Sequence, residues 1–337
     1  MRIVILGSGG RLGAALMREY QEKYDVAGLH HGQLDLASLD DVRGRLGTMN
    51  FDVLINAAAF TNVDACETER DRAYLINAEA PRILAEICNA KDAKLIHFST
   101  DYVFDGDKRA PYTEKDHANP ISFYGESKLA GEKNVLVAGN GHLVVRVSWV
   151  FGPDRPSFID AMIKRAQQDE KIDAVADKFS TPTYTNDIAL MLPQFFDRGI
   201  EGGILHYANA GKCSWQDYAQ WALDCCRDAG ISVKPGTVGA LKLSDMGKLE
   251  TDSTIVDQRE RIVRSVSQQV LTRLLKDYRE KCFRITQAAL VVGSQIDPAN
   301  IVNPRIRAHA LEGRLFRSAV EQTLHDHVAT STHSGEL

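Results

Sequence analysis

Met1-Arg2-Ile3-Val4-Ile5-Leu6-Gly7-Ser8-Gly9-Gly10-Arg11-Leu12-Gly13 opens the chain, and its reading decides the fold. The apolar run at 3–6 has the length of a short strand and ends in glycines. Residues 11–20 then carry Leu12, Ala15, Leu16 and Tyr20 at helical spacing. Between the two, Gly7, Gly10 and Gly13 form Gly-x-x-Gly-x-x-Gly. Such a turn brings backbone close to a pyrophosphate, and the helix N-terminus aims unpaired N–H groups at its charge. A strand before and a helix after give an otherwise common glycine cluster its meaning.

Outward from this turn, strands and helices alternate. Strands are expected at 25–29, 52–58, 94–99 and 142–147, and helices at 39–46, 72–89 and 124–137. That alternation implies right-handed crossovers and a parallel sheet covered on both faces. The expected fold class is α/β: a Rossmann-like, doubly wound parallel sheet with a smaller C-terminal substrate-binding portion. Residues 1–152 form the nucleotide-binding part, and 153–249 a substrate-binding portion interleaved with it. The latter holds helices at 158–168 and 215–229, with Thr181-Pro182-Thr183-Tyr184 read as a loop. Residues 250–337 form an atypical, partly helical segment. Ile262, Val266, Val270 and Leu274 predict a helix over 257–278, and 325–337 is polar and frayed.

Composition narrows the function classes. The 337 residues are 44% hydrophobic and 25% charged, with a net charge of -5 and no basic cluster. Nucleic acid is therefore not an expected partner. No apolar run reaches the roughly 20 residues that span a bilayer, so no membrane partner is expected either. The opening residues lack the pattern of a secretory signal, and a cytoplasmic setting is expected. The six cysteines contain no Cys-x-x-Cys pair and read as free thiols; no His/Cys spacing suggests a metal.

Cofactor choice depends on the end of the second strand, where an acid favours NAD. Here Val26-Ala27-Gly28-Leu29-His30-His31 ends without one. His30, His31 and Arg11 lean towards NADPH, or the histidines are solvated loop residues, so NADPH and NADH both remain open. Asp35, followed by Leu36, accepts from an adenine amino group or caps the next turn.

Tyr124-Gly125-Glu126-Ser127-Lys128 is Tyr-x-x-x-Lys, which stacks both side chains on one helix face. A phenol there can give a proton to a carbonyl oxygen as hydride reaches the carbon. A nearby ammonium is expected to lower the phenol pKa, ordinarily ~10. Thr100 ends the strand Leu95-Ile96-His97-Phe98-Ser99, where ligands bind in open α/β sheets.

These strings, with Asn56-Ala57-Ala58-Ala59-Phe60-Thr61-Asn62-Val63-Asp64, Ser99-Thr100-Asp101-Tyr102-Val103-Phe104-Asp105-Gly106, Val145-Arg146-Val147-Ser148-Trp149-Val150-Phe151-Gly152 and Phe179-Ser180-Thr181-Pro182-Thr183-Tyr184, carry a resemblance. The chain resembles the extended short-chain dehydrogenases/reductases, and within them the dTDP-4-dehydrorhamnose reductases, over residues 1 to about 247. The resemblance implies reduction, by NADPH or NADH, of the 4-keto group of a nucleotide-linked 6-deoxysugar. It implies Thr100, Tyr124 and Lys128 as catalytic residues, with Tyr124 the proton donor. Gly7, Gly10, Arg11, Leu12, Gly13, Asp35, Leu36, Ala57, Ala58, Ala59, Tyr124 and Lys128 would bind the cofactor. Val63, Thr100, Asp101 and Trp149 would face the sugar nucleotide.

Read from the residues alone, several roles stay open. Trp149 is a flat wall for a ligand or a core residue. Asp64, Asp101 and Asp105 are ligands or turn residues. Arg146, inside an apolar strand, needs a partner, which is a structural carboxylate or a substrate phosphate. Two other functions share the fold: a non-catalytic regulatory subunit resembling the methionine adenosyltransferase β subunit, and a nucleotide-sugar epimerase or dehydratase. A homodimer is among the assemblies the sequence permits. Residues 250–337 depart from the family, lacking the Arg-Pro segment and the Trp-containing helix that the resemblance implies.

Overall fold

The structure, a computed structural model, describes residues 1–244 apart from 109, 140, 198–201, 210 and 229. The helix expected at 257–278, the polar end at 325–337 and Cys282 lie outside the described residues.

The first half alternates as its apolar pattern dictates: β1 (Arg2–Leu6), α1 (Arg11–Tyr20), β2 (Asp25–Leu29), α2 (Leu39–Thr48), β3 (Val53–Asn56), α3 (Val63–Thr68), α4 (Arg70–Tyr74), α5 (Ala80–Ala90), β4 (Lys94–Thr100), α6 (Phe123–Ala138) and β5 (Leu143–Val147). The remainder is shorter: β6 (Val150–Phe151), α7 (Phe158–Gln168), β7 (Asp173–Val175), β8 (Phe179–Ser180), β9 (Thr183–Tyr184), α8 (Thr185–Met191), α9 (Pro193–Phe196), β10 (Gly203–Tyr207), β11 (Cys213–Ser214), α10 (Trp215–Asp228) and β12 (Gly239–Leu241).

Six strands form the main sheet in the order β10-β5-β4-β3-β1-β2, every pair parallel. Strand side chains alternate between faces. Val4, Leu6, Leu54, Leu95 and Val144 meet α2 and α5 on one face. Ile3, Ile5, Ile55, Ile96 and Val145 meet α1 and α8 on the other. Each such side chain contributes about 1.5–3 kcal/mol on burial, which fixes register on both faces at once. The chain reverses direction across the sheet between β1 and β3, and ligands bind at the carboxyl ends of strands at such a switch point.

Three features differ from the sequence-based expectation. The sixth strand, β10, was not expected; it extends the sheet beside β5 with little apolar signal of its own. The helix expected at 72–89 is two helices joined by a π-helical turn, Leu75–Glu79. The presumed loop at 181–184 contains β9, paired with β6, while the preceding β8 pairs with β11. Strands of two residues are too short to show a period. Around α7 and α10 a smaller core gathers Ile159, Ile163, Tyr218 and Cys225, with Met162, Ala174 and Leu223 beside it.

Candidate active site

The glycine turn is built for close approach. Gly7 has φ +73°, and a Cβ there would lie 2.9 Å from the Ala58 nitrogen. A Cβ on Gly13 would come within 2.1 Å of the Gly7 carbonyl oxygen. Gly10 caps α1 with no side-chain hydrogen bond, and no acid occupies the first helical turn. Leu12 and Gly13 are buried, and Ala57–Ala59 line the turn after β3. The first N–H groups of α1 therefore face an uncapped, acid-free space, which fits the phosphates of a dinucleotide.

Arg11 behaves differently from the sequence expectation. Its guanidinium donates to the carbonyls of Val150 (3.1 Å), Arg155 and Pro156, so its charge is spent on the loop after β6. The cation nearest the glycine turn is instead Arg155, whose Nε donates to the Gly9 carbonyl at 2.8 Å. His30 accepts at Nδ1 from the Gly32 N–H, and exposed His31 lies 3.7 Å from Asp35. Asp35 accepts from the Ala37 N–H at 2.9 Å, a turn-stabilising bond, and Leu36 is buried.

Thr100 ends β4, as expected, and α6 lies across it. A Cβ on Gly125 would sit 2.2 Å from the Tyr102 carbonyl oxygen, and one on Gly131 would sit 2.1 Å from the Asn77 carbonyl oxygen. Only glycines let the helix approach this closely. The π turn has a matching use. Its buried Asn77 accepts from the Phe60 N–H (2.9 Å) and donates to the Phe60 carbonyl (3.0 Å) and the Ser127 hydroxyl (3.1 Å). It thereby ties α6 to the chain leaving β3.

Tyr124 and Lys128 are 9% and 2% exposed. The Tyr124 phenol hydrogen-bonds Thr100 and meets the Tyr102 ring edge-on at 5.5 Å. The Lys128 amine donates to the Phe98 carbonyl at 2.7 Å and lies 3.3 Å from His97 Nε2. Burial pulls Lys128 down to about 8, against a weaker opposing pull from Glu132. Burial also pushes the Tyr124 phenol well above its ordinary range, and the nearby Asp101 adds to the rise. The expected lowering by an ammonium is thus reversed, because desolvation of the phenolate outweighs it. His97, wholly buried beside Lys128, is held far below its ordinary pKa and is neutral.

The other site candidates surround this pair. Asp101 accepts from Ser148 (2.7 Å) and Thr100 (3.1 Å); burial raises its pKa, and these bonds together with the Lys178 charge oppose the rise. Val63 opens α3 and packs with Tyr124 and Cys66. Trp149 has φ +41° and stacks on Trp215 at 5.6 Å, with Phe158 and Tyr218 also against it. A bulky residue in the left-handed region marks a strained position of the kind found at ligand sites. Arg146 makes two bonds to Glu132 (2.8 and 2.6 Å), so its partner is structural. Asp105 accepts from Tyr112 and Asn119, a turn role, and that bonding holds its carboxyl down to about 2.

Sequence reading missed Lys178, whose ammonium donates to the Tyr102 hydroxyl at 3.1 Å and lies over the Trp215 ring. It also missed Arg155 and His97. None of the three carries a local signature; each is brought in by a partner distant in sequence.

Comparison with known proteins agrees with this arrangement. The family model described as the RmlD substrate binding domain matches residues 1–243. A dTDP-4-dehydrorhamnose reductase of Mycolicibacterium smegmatis is 46% identical over 222 residues, covering 65% of this chain and 67% of the relative. A probable dTDP-4,6-dihydroxy-2-methyloxan-3-one 4-ketoreductase of Streptomyces antibioticus is 42% identical, over 65% and 75%. The crystal structure of a dTDP-4-dehydrorhamnose reductase from Bacillus anthracis, in complex with NADP, superposes with TM-score 0.68 at 34% identity, covering 73% of this chain and 85% of that one. With its parallel sheet, its glycine turn and its buried Thr100, Tyr124 and Lys128, the chain belongs to the RmlD family of the extended short-chain dehydrogenases/reductases.

Proposed function

We infer that this protein is an NAD(P)H-dependent reductase of the 4-keto group of a nucleotide-linked 6-deoxysugar, converting dTDP-4-dehydrorhamnose to dTDP-L-rhamnose. The observation that carries the reading is the buried phenol of Tyr124, hydrogen-bonded to Thr100 at the carboxyl end of β4. The glycine turn with Ala57, Ala58 and Ala59 fits the pyrophosphate of the dinucleotide, and Arg155 adds a cation at its rim.

When bound, the reduced nicotinamide supplies a hydride to the substrate carbon. Thr100 orients the carbonyl, and Tyr124 gives its phenolic proton to the carbonyl oxygen. Its raised pKa suits this direction, since the donor enters the reaction protonated at neutral pH. Lys128, one helical turn away, has N–H groups for the nicotinamide ribose. Asp101, Val63 and the Trp149 ring border the sugar-nucleotide side. Trp149 with Trp215 makes a flat apolar wall suited to a sugar or base face.

The regulatory-subunit reading has less support, because a complete set of proton-handling residues has no use there. The test is loss of reduced-nicotinamide absorbance with dTDP-4-dehydrorhamnose and its 2-deoxy and epimeric analogues, with both cofactors. Oxidation is expected only when a 4-keto sugar nucleotide is present. Cofactor binding without oxidation across that panel overturns the reading.

A further inference from the structure

The buried amine of Lys128 does not stand alone behind the phenol. A chain of three side chains runs from it, through the sheet, to the end of β3. Asn56 Nδ2 lies 3.0 Å from His97 Nδ1, and His97 Nε2 lies 3.3 Å from Lys128 Nζ. Asn56 and His97 are fully buried, and Lys128 nearly so.

The amide orientation of Asn56 is fixed independently. Its Oδ1 accepts from the Ala58 N–H at 3.2 Å. Turning the amide over would set two donors face to face. Its NH2 group therefore points at His97, and His97 Nδ1 must accept. A neutral imidazole that accepts at Nδ1 carries its hydrogen on Nε2. That hydrogen points at the lysine nitrogen.

We propose that Asn56 locks His97 as the Nε2–H tautomer, and that His97 is a positioning residue whose N–H holds the Lys128 nitrogen as a hydrogen-bond acceptor, a neutral amine. An ammonium has no lone pair and would meet this N–H as a second donor. A neutral amine satisfies both contacts: it accepts from His97 and donates to the Phe98 carbonyl. The depressed pKa of Lys128 has the same sense. The titratable groups on elements packed at this level are Tyr124 and Glu132 of α6, Cys66 of α3, Arg146 of β5 and Asp101 after β4. Glu132, the acid that would favour an ammonium, is bonded to Arg146 and Ser99 instead. The wiring deepens the reductase reading, on which its catalytic meaning rests, but it exists in the free protein and can be measured there.

The experiment is a long-range proton–nitrogen correlation spectrum of the full chain without ligands, with the His97 signals assigned by their loss in His97→Gln. The expected pattern is a ring protonated at Nε2 alone across neutral pH. A ring protonated at Nδ1, or at both nitrogens, overturns the proposal. Asn56→Asp provides the second measurement. Its carboxylate can accept from both the Ala58 N–H and a His97 Nδ1–H, so the tautomer should reverse. The Lys128 titration, followed by carbon-labelled lysine and assigned with Lys128→Met, should then rise by at least about one pH unit. An unreversed tautomer, or a reversed one with an unmoved lysine, removes the coupling. Turnover is not read, so failure of the substrate assignment leaves this test standing, and failure here leaves the substrate assignment standing.

Discussion

Lys128 and Glu132 lie four residues apart on α6, and both are almost wholly buried against β4, yet their surroundings are opposite. Glu132 is saturated: Arg146 makes two bonds to it and Ser99 a third. Arg146 is in turn placed over the Phe104 ring and beside His206. Lys128, one turn closer to the strand ends, has a carbonyl and a neutral histidine, and no carboxylate bonded to it. The lower pair is a completed ion pair that holds α6 to β4 and β5. The upper group is left uncompensated at the place where a polar ligand would arrive. The same helix thus presents one charge whose needs are met and one whose needs are not, and reactivity belongs to the second.

If that division is right, substitutions at the two levels fail in different ways. The largest effect is expected at the reactive level. Tyr124→Phe removes the proton donor but keeps the ring packed on Tyr102 and Cys66, so folding and dinucleotide binding should survive. Turnover should fall by about three orders of magnitude, on the order of 4 kcal/mol, in steady-state assays of keto-sugar reduction. Turnover within tenfold of the parent would remove Tyr124 from the chemistry.

At the saturated level the loss should appear in stability. Glu132→Gln leaves the Arg146 charge buried without its carboxylate, and should cost about 3 kcal/mol in urea unfolding. The double variant Glu132→Gln/Arg146→Met removes both charges and should recover at least half of that. If the double variant is as unstable as the single one, the pair is not an electrostatic unit.

The contrast also explains what was legible in the sequence. The glycine turn and the Tyr124–Lys128 spacing are local patterns, so both the sheet and the reactive pair could be read directly. Arg146 could be flagged because a charge inside Val144-Val145-Arg146-Val147 demands a partner; which partner was not visible, since Glu132 comes from another element. Arg11 misled, because a cation in a phosphate-binding turn looks like a ligand until the loop after β6 is seen to claim it. His97 was silent: inside Leu95-Ile96-His97-Phe98-Ser99 it reads as one more strand residue. Its role depends on Asn56 and Lys128 meeting it from two other elements. The π turn was hidden for a related reason. One inserted residue barely disturbs a helical period, and only the fit of Asn77 against Phe60 and Ser127 shows why it is there.

The smallest expected effect tests the uncompensated charge itself. The folded protein holds Lys128 near 8, whereas an unfolded chain keeps an ordinary lysine at 10.5. Between these values the unfolded state binds more protons, so this group's contribution to stability rises with pH and is least favourable below about 8. Buried thiols and phenols act in the opposite sense at the alkaline end: Cys88 and Tyr124 are both pushed up by burial and hold their protons in the fold. The informative quantity is therefore the difference between the parent and Lys128→Met, in which those groups cancel. Measured by urea unfolding at about pH 7.5 and about pH 9.5, the variant's stability relative to the parent should decrease by about 2 kcal/mol as pH rises. Parallel pH profiles would mean that the amine is compensated in the folded protein after all. The distinction between the two levels of α6 would then collapse, because Lys128 would be as well satisfied as Glu132.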